Sequence, residues 1–230
     1  MNVHPIEFRY YYDEMKSLFT EEAKLQNWLM VESALAKAYA ALGQIPKEAA
    51  EEISLKANTS YVKLERVKEI EAEIHHDLMA MVKALTEVCS KDAGKYVHLG
   101  ATSYDIEDTA LAIQLVKAIN VLKKPILDIL KTLVSLMERT KTLVCVGRTH
   151  GQHAVPTTFG LKFAIYACEF ARHVERLNNL LPRIKVGKLT GAVGTQASFG
   201  KYARKLQYLH LEESLQHFFF DFLFLKIHSQ

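Results

Sequence analysis

Cysteine is scarce in this sequence: Cys89, Cys145 and Cys168 are odd in number and widely spaced, which argues against a disulfide framework and against a cysteine-based zinc cluster. Small buried hydrophobes in a reducing cytoplasm are the simplest expectation for them. Five prolines and ten glycines in 230 residues are too few for a low-complexity or collagen-like chain. No apolar stretch reaches the roughly 18 residues that a bilayer crossing needs. "MNVHPIEFRYYYDEM" has no basic segment followed by an apolar run, so no signal peptide is expected. One-signed charge is lacking as well, since 29 Lys and Arg stand against 26 Asp and Glu and the two are interspersed. That balance disfavours a nucleic-acid arm or a membrane patch and leaves room for a small anionic substrate.

What is present is helical periodicity. In "TEEAKLQNWLMVESALAKAYAALG" a capping hydroxyl at Thr20 and two first-turn glutamates precede Leu25, Trp28, Leu29, Leu35 and Tyr39 near one face, with Gly43 and Pro46 as stops. A short helix is expected from Pro46, and a third from Tyr61 to about Cys89. "KDAGKYVHLGATSYD" interrupts the pattern. A long helix follows from about Asp105 to Lys141, with a kink or interruption expected at Pro125. After the loop "GRTHGQHAVPTTFG" another helix is predicted over Thr157–Leu181, stopped at Pro182. Helices this long, joined by brief loops, predict an all-α elongated bundle that finds partners in other subunits.

Two loops invite nucleotide or metal readings. "GAVGT" lacks the lysine and serine of a phosphate-binding P-loop, and no predicted strand precedes it. His150 and His153 are three residues apart, a spacing that on a helix would align two metal ligands. Gly151 and Pro156 disfavour a regular helix there, and no cysteine or carboxylate lies close by in sequence, so neither a metal nor a cofactor is expected. In "EIHHDLMA", adjacent histidines on one helix would point about 100° apart, and a solvated helix face is the plain alternative to a site.

Four stretches, "FRYYYDEM" with "FTEEAKLQNWLMVE", then "IHHDLMA", "VHLGATSYDIEDTALA" and "GRTHGQHAVPTTFGLK", resemble the adenylosuccinate lyase family of the fumarase/aspartase superfamily in order and approximate spacing. "GKLTGAVGTQASFG" extends the likeness, which covers roughly residues 6 to 203. The resemblance implies β-elimination of fumarate from a purine nucleotide, the charge collecting on a carboxylate as an aci-acid that oriented donors must stabilise. It implies His150 as the general acid for the departing nitrogen, a task suited to imidazole with its ordinary pKa near 6.5. Thr149 follows as a carboxylate contact and His153 as structural. Arg9 and Tyr10 match a pair that holds the nucleotide phosphate. His75, His76 and Asp77 match a segment near the nucleotide and fumaryl portions, with His76 the leading catalytic candidate among them. Thr102 and Ser103 would present hydroxyls and amides at a helix N-terminus, where they are equally suited to capping the helix.

The resemblance further implies a homotetramer, a helical N-terminal domain over residues 1–92 and part of the long-helix domain over 93–203. Residues 204–230 form an atypical tail, with five of the eleven phenylalanines between 218 and 224. The superfamily's GSSxMPxKxNP loop, which carries the proton-abstracting serine, is absent from the sequence. Other lyases of the superfamily, or a non-catalytic helical scaffold, stand as the alternatives.

Overall fold

The computed structural model describes residues 8–215, so the phenylalanine cluster at 218–224 lies outside it. The chain forms two compact units, one from residues up to 116 together with those from 185 onward, the other from residues 117–184.

The first unit opens with α1 (Asp13–Ser17) and α2 (Glu21–Ala41). The Thr20 hydroxyl caps α2 by accepting from the Ala23 amide at 3.1 Å, and Glu21 and Glu22 complement the dipole in its first turn. Leu25, Trp28, Leu29, Leu35 and Tyr39 are all buried, as the sequence pattern predicts. α3 (Lys47–Lys56) packs on α2, as does the last helix, α9 (Ala203–Leu215), which follows a 3₁₀ helix at Ala197–Tyr202. Leu29 and Leu35 share this core with Ile53, Met81, Leu85 and Leu206.

Between Tyr61 and Cys89 the structure has two helices rather than the single one expected, α4 (Leu64–Ile74) and α5 (Asp77–Val88). The break falls on the histidine pair. His75 ends α4 in the left-handed region with φ 54°, and His76 begins α5 as its N-cap, its Nδ1 accepting from the Met79 amide at 3.3 Å. After the short α6 (Lys91–Gly94) comes α7 (Ser103–Arg139). Pro125 lies inside α7 without ending it, so the expected interruption does not occur.

The second unit holds the later part of α7, a β-hairpin and α8 (Phe159–Ile184). The hairpin is the one departure from an otherwise helical chain among the described residues. Strands β1 (Val144–Thr149) and β2 (Gln152–Thr158) pair antiparallel, Thr149 opposite Gln152 and Arg148 opposite His153. β-branched residues on both arms favour this pairing. The turn is His150–Gly151 with φ of 52° and 74°, the two positive values that a two-residue type I′ turn demands. The register shifts between Val146 and Arg148, and a Cβ on the intervening Gly147 would meet the Val155 carbonyl oxygen at 2.7 Å. α8 also runs through Pro182 to Ile184, past its expected stop.

Gly160 closes this unit. A Cβ there would stand 2.5 Å from Lys141 Cα and 2.9 Å from the Met137 carbonyl oxygen, backbone atoms that cannot rotate aside. Gly160→Ala is therefore expected to destabilise the fold by about 1–3 kcal/mol through overpacking, read as a lower midpoint in urea denaturation with an unchanged slope. Among the described residues no helix is long and apolar enough to cross a membrane.

Candidate active site

The "VHLGATSYD" stretch connects α6 to α7, and its backbone is held from three directions. Gly100, at φ 70°, lets the chain pass so close to α2 that a Cβ would lie 3.0 Å from the Tyr39 hydroxyl and 3.3 Å from the Phe199 ring. The Tyr39 hydroxyl donates to the Leu99 carbonyl at 2.9 Å, and burial pushes its pKa up to about 12, so it stays a donor. Glu32, 1% exposed on α2, holds His98 twice: one oxygen lies 2.6 Å from His98 Nδ1 and the other accepts the His98 amide at 3.1 Å. Burial alone would lower the His98 pKa. The hydrogen bond and charge of Glu32, with Asp105 beyond, outweigh it and raise the value.

Asp105 is the third holdfast. Its carboxylate is fully buried and accepts four hydrogen bonds, from the amides of Thr102 (3.1 Å), Thr190 (2.9 Å) and Gly191 (3.0 Å) and from Lys188 Nζ (3.1 Å). Burial pushes its pKa up, but these donors together bring it below the ordinary value. By accepting from the Thr102 amide three residues back, Asp105 supplies the side-chain half of a capping box. Sequence reasoning allows Thr102 and Ser103 themselves to cap α7. In the structure that duty falls to Asp105, and neither hydroxyl has a hydrogen-bond partner among the described residues.

One turn into α7, the half-buried Glu107 feels the charges of Asp77, Lys24 and His76, and burial followed by Asp77 raises its pKa. Asp77 lies 3.8 Å from Lys24 Nζ and 3.8 Å from His76 Nδ1. His76 and Asp77 at the start of α5 thus lie within electrostatic reach of Glu107, one turn into α7. Because His76 Nδ1 accepts from Met79, its neutral ring carries the proton on Nε2. His75, Arg9 and Tyr10 are exposed, and among the described residues no hydrogen bond or ion pair ties Arg9 or Tyr10 to this group. Thr149 and His150 belong to the second unit, exposed at the hairpin tip. His98, Glu32 and Asp105 are missed by reasoning from sequence. Asp105 alone left a local signal, its position three residues after Thr102.

His210 on α9 is a second buried imidazole in this unit, fully buried, with neither ring nitrogen partnered among the described residues. Burial pulls its pKa down to about 4, against a weaker upward pull from Asp105. The native form is neutral, so as pH falls from the unfolded value of about 6.5 the unfolded chain takes up a proton that the native chain refuses, and stability drops. This loss accumulates down to about pH 4. His98 has the opposite sign, because its raised pKa contributes stability that is full below about 6.5 and lost as pH rises through the folded value. His210→Leu is expected to flatten the acid limb. Thermal melts between about pH 7 and pH 4 should show a smaller fall in Tm than the parent chain, and an equal fall would remove His210 as the cause.

The model of the lyase family matches residues 7–215. The chain is 55% identical over 213 residues to the adenylosuccinate lyase of Pyrococcus abyssi, covering 93% of this chain and 47% of that protein. It is 54% identical over 201 residues to the adenylosuccinate lyase of Methanocaldococcus jannaschii, covering 87% and 44%. Among solved structures, a fumarate lyase from Mesorhizobium sp. BNC1 superposes with a TM-score of 0.83 at 35% identity, covering 89% of this chain and 48% of that one. The chain spans about half the length of the curated relatives it matches.

Proposed function

Because the chain belongs to the lyase family of the fumarase/aspartase superfamily, we propose that it serves the β-elimination of fumarate from adenylosuccinate, giving AMP, and from the succinyl-carboxamide ribotide of purine synthesis. The observation that carries this reading is the start of α7. Two free hydroxyls, Thr102 and Ser103, stand at the N-terminus of a 37-residue helix whose capping is done by a buried carboxylate. Free amides, the helix dipole and two hydroxyl donors suit the dianion that forms when a proton leaves the carbon beside a carboxylate.

The remaining roles follow the chemistry. His150 projects from a tight turn and donates the proton that the departing nitrogen needs. Thr149 contacts a substrate carboxylate. His76, with Nε2 as donor, and Asp77 orient the fumaryl portion, with His75 beside them. Arg9 and Tyr10 take the nucleotide phosphate, for which the guanidinium's fork of donors is suited. The GSSxMPxKxNP loop that carries the superfamily's proton-abstracting serine does not occur in this sequence. A homotetramer in the cytoplasm completes the reading.

The test is calorimetric titration with AMP alongside fumarate release from adenylosuccinate, followed by ultraviolet absorbance. AMP binding, with or without turnover, supports the assignment. Neither binding nor turnover would overturn it in favour of a helical scaffold.

A further inference from the structure

We infer that Asp105 is the positioning residue of this site, coupling the glycine-rich 187–200 loop to the start of α7 so that the hydroxyls of Thr102 and Ser103 are left free for an anionic carboxylate ligand. The inference rests on the lyase reading for the identity of that ligand. The coupling itself rests on the geometry alone.

A helix start normally consumes a hydroxyl or carboxylate within its own first turn. Here the capping acceptor faces inward. Asp105 Oδ2 takes the Thr102 and Gly191 amides and Oδ1 takes the Thr190 amide and Lys188 Nζ, so both oxygens carry two donors. Three of these four partners lie more than 80 residues away in sequence, and the same carboxylate therefore fixes two segments at once. Thr109, one turn further along α7, repeats the attachment: its hydroxyl accepts from the Lys188 amide at 3.0 Å. At the far end of the loop the Ser198 hydroxyl donates to the Gly100 carbonyl at 2.6 Å. Gln196 holds the middle, donating to the Leu189 carbonyl and to Gln207 Oε1 of α9.

This arrangement has a chemical consequence. A free hydroxyl at a helix start can turn back to the nearest amide. A capping hydroxyl would accept from the second or third amide of the helix. Here neither hydroxyl is so engaged among the described residues, Asp105 holds the N-cap amide and the loop behind it fixes the backbone, so both side chains stand free toward a ligand. Loss of the carboxylate would free the loop and the helix start together. The Asp105→Asn variant is nearly isosteric but offers one acceptor atom where the carboxylate offers two, and directs N–H groups at amides that are themselves donors.

The test pairs amide hydrogen exchange on the intact chain with calorimetric titration of fumarate and AMP. In D105N, amides at 102, 190 and 191 are expected to exchange on the order of tenfold faster or more, while α2 core amides keep their protection. Fumarate affinity is expected to weaken about tenfold, while AMP affinity stays within about twofold. Equal weakening of both ligands would mark a general structural role and overturn the positioning assignment, as would unchanged exchange at these three amides. If the parent chain binds neither ligand, the lyase reading fails, and the exchange data still decide the coupling.

Discussion

Replacing Glu32 with alanine is expected to lower the unfolding free energy by about 3–5 kcal/mol, the range for breaking a buried charge pair by removing one partner. Glu32 is 1% exposed, and both its oxygens are committed to His98. Truncation leaves the His98 amide without its acceptor and the imidazole in a low-dielectric setting with no carboxylate opposite. It also loosens the loop at the point where Tyr39 and Gly100 hold it against α2. Chemical denaturation at neutral pH measures the loss. Glu32→Gln separates the contributions: it retains an acceptor for the amide, should lose less, and should remove the decline in stability that His98 brings as pH rises above about 6.5. A loss below about 1 kcal/mol in the alanine variant would mean that the pair contributes no more than a surface contact.

His150→Ala is expected to reduce fumarate release by roughly 10²- to 10⁴-fold, the usual contribution of a positioned general acid. AMP affinity should hold, because the phosphate contacts are assigned to Arg9 and Tyr10. The measurement is made under conditions in which the parent chain turns over. The change should appear in kcat rather than KM if the proton is transferred only in the transition state. A variant with kcat intact would move the acid role to another residue, and His76, with its proton on Nε2, is the first to examine.

Much of the scaffold was legible because its causes are local. Thr20, two glutamates and a repeating apolar face specify α2, and its core residues follow from the same period. The break at His75 was not legible, since neither glycine nor proline marks it and the left-handed residue is imposed by the packing of α4 against α5. The hairpin left a signal in Val144, Val146, Val155 and Thr157, which alternate on either side of a two-residue turn. The turn itself begins with histidine rather than the asparagine, aspartate or glycine that usually announces type I′ geometry. Both helices run through their prolines, so neither the interruption expected at Pro125 nor the stop expected at Pro182 occurs. Thr102, Ser103 and the His76–Asp77 pair are singled out by short motifs, as candidates. Asp105 and Glu32 act on residues tens of positions away, a relation that no local pattern carries.

Among the described residues, three of the four non-glycine positions with positive φ are histidines: His75, His98 and His150. The left-handed region costs an ordinary L-residue about 1–2 kcal/mol, and glycine carries no such penalty. Alanine at these positions deletes the ring and keeps the strained backbone. Glycine deletes the ring and relaxes the backbone. The difference between the two substitutions at one site measures conformation alone, while the difference between histidine and alanine measures the imidazole alone. At His98 the ring holds a buried partner and should dominate; at His75 and His150, both exposed, the backbone share should be the larger part of any change in stability.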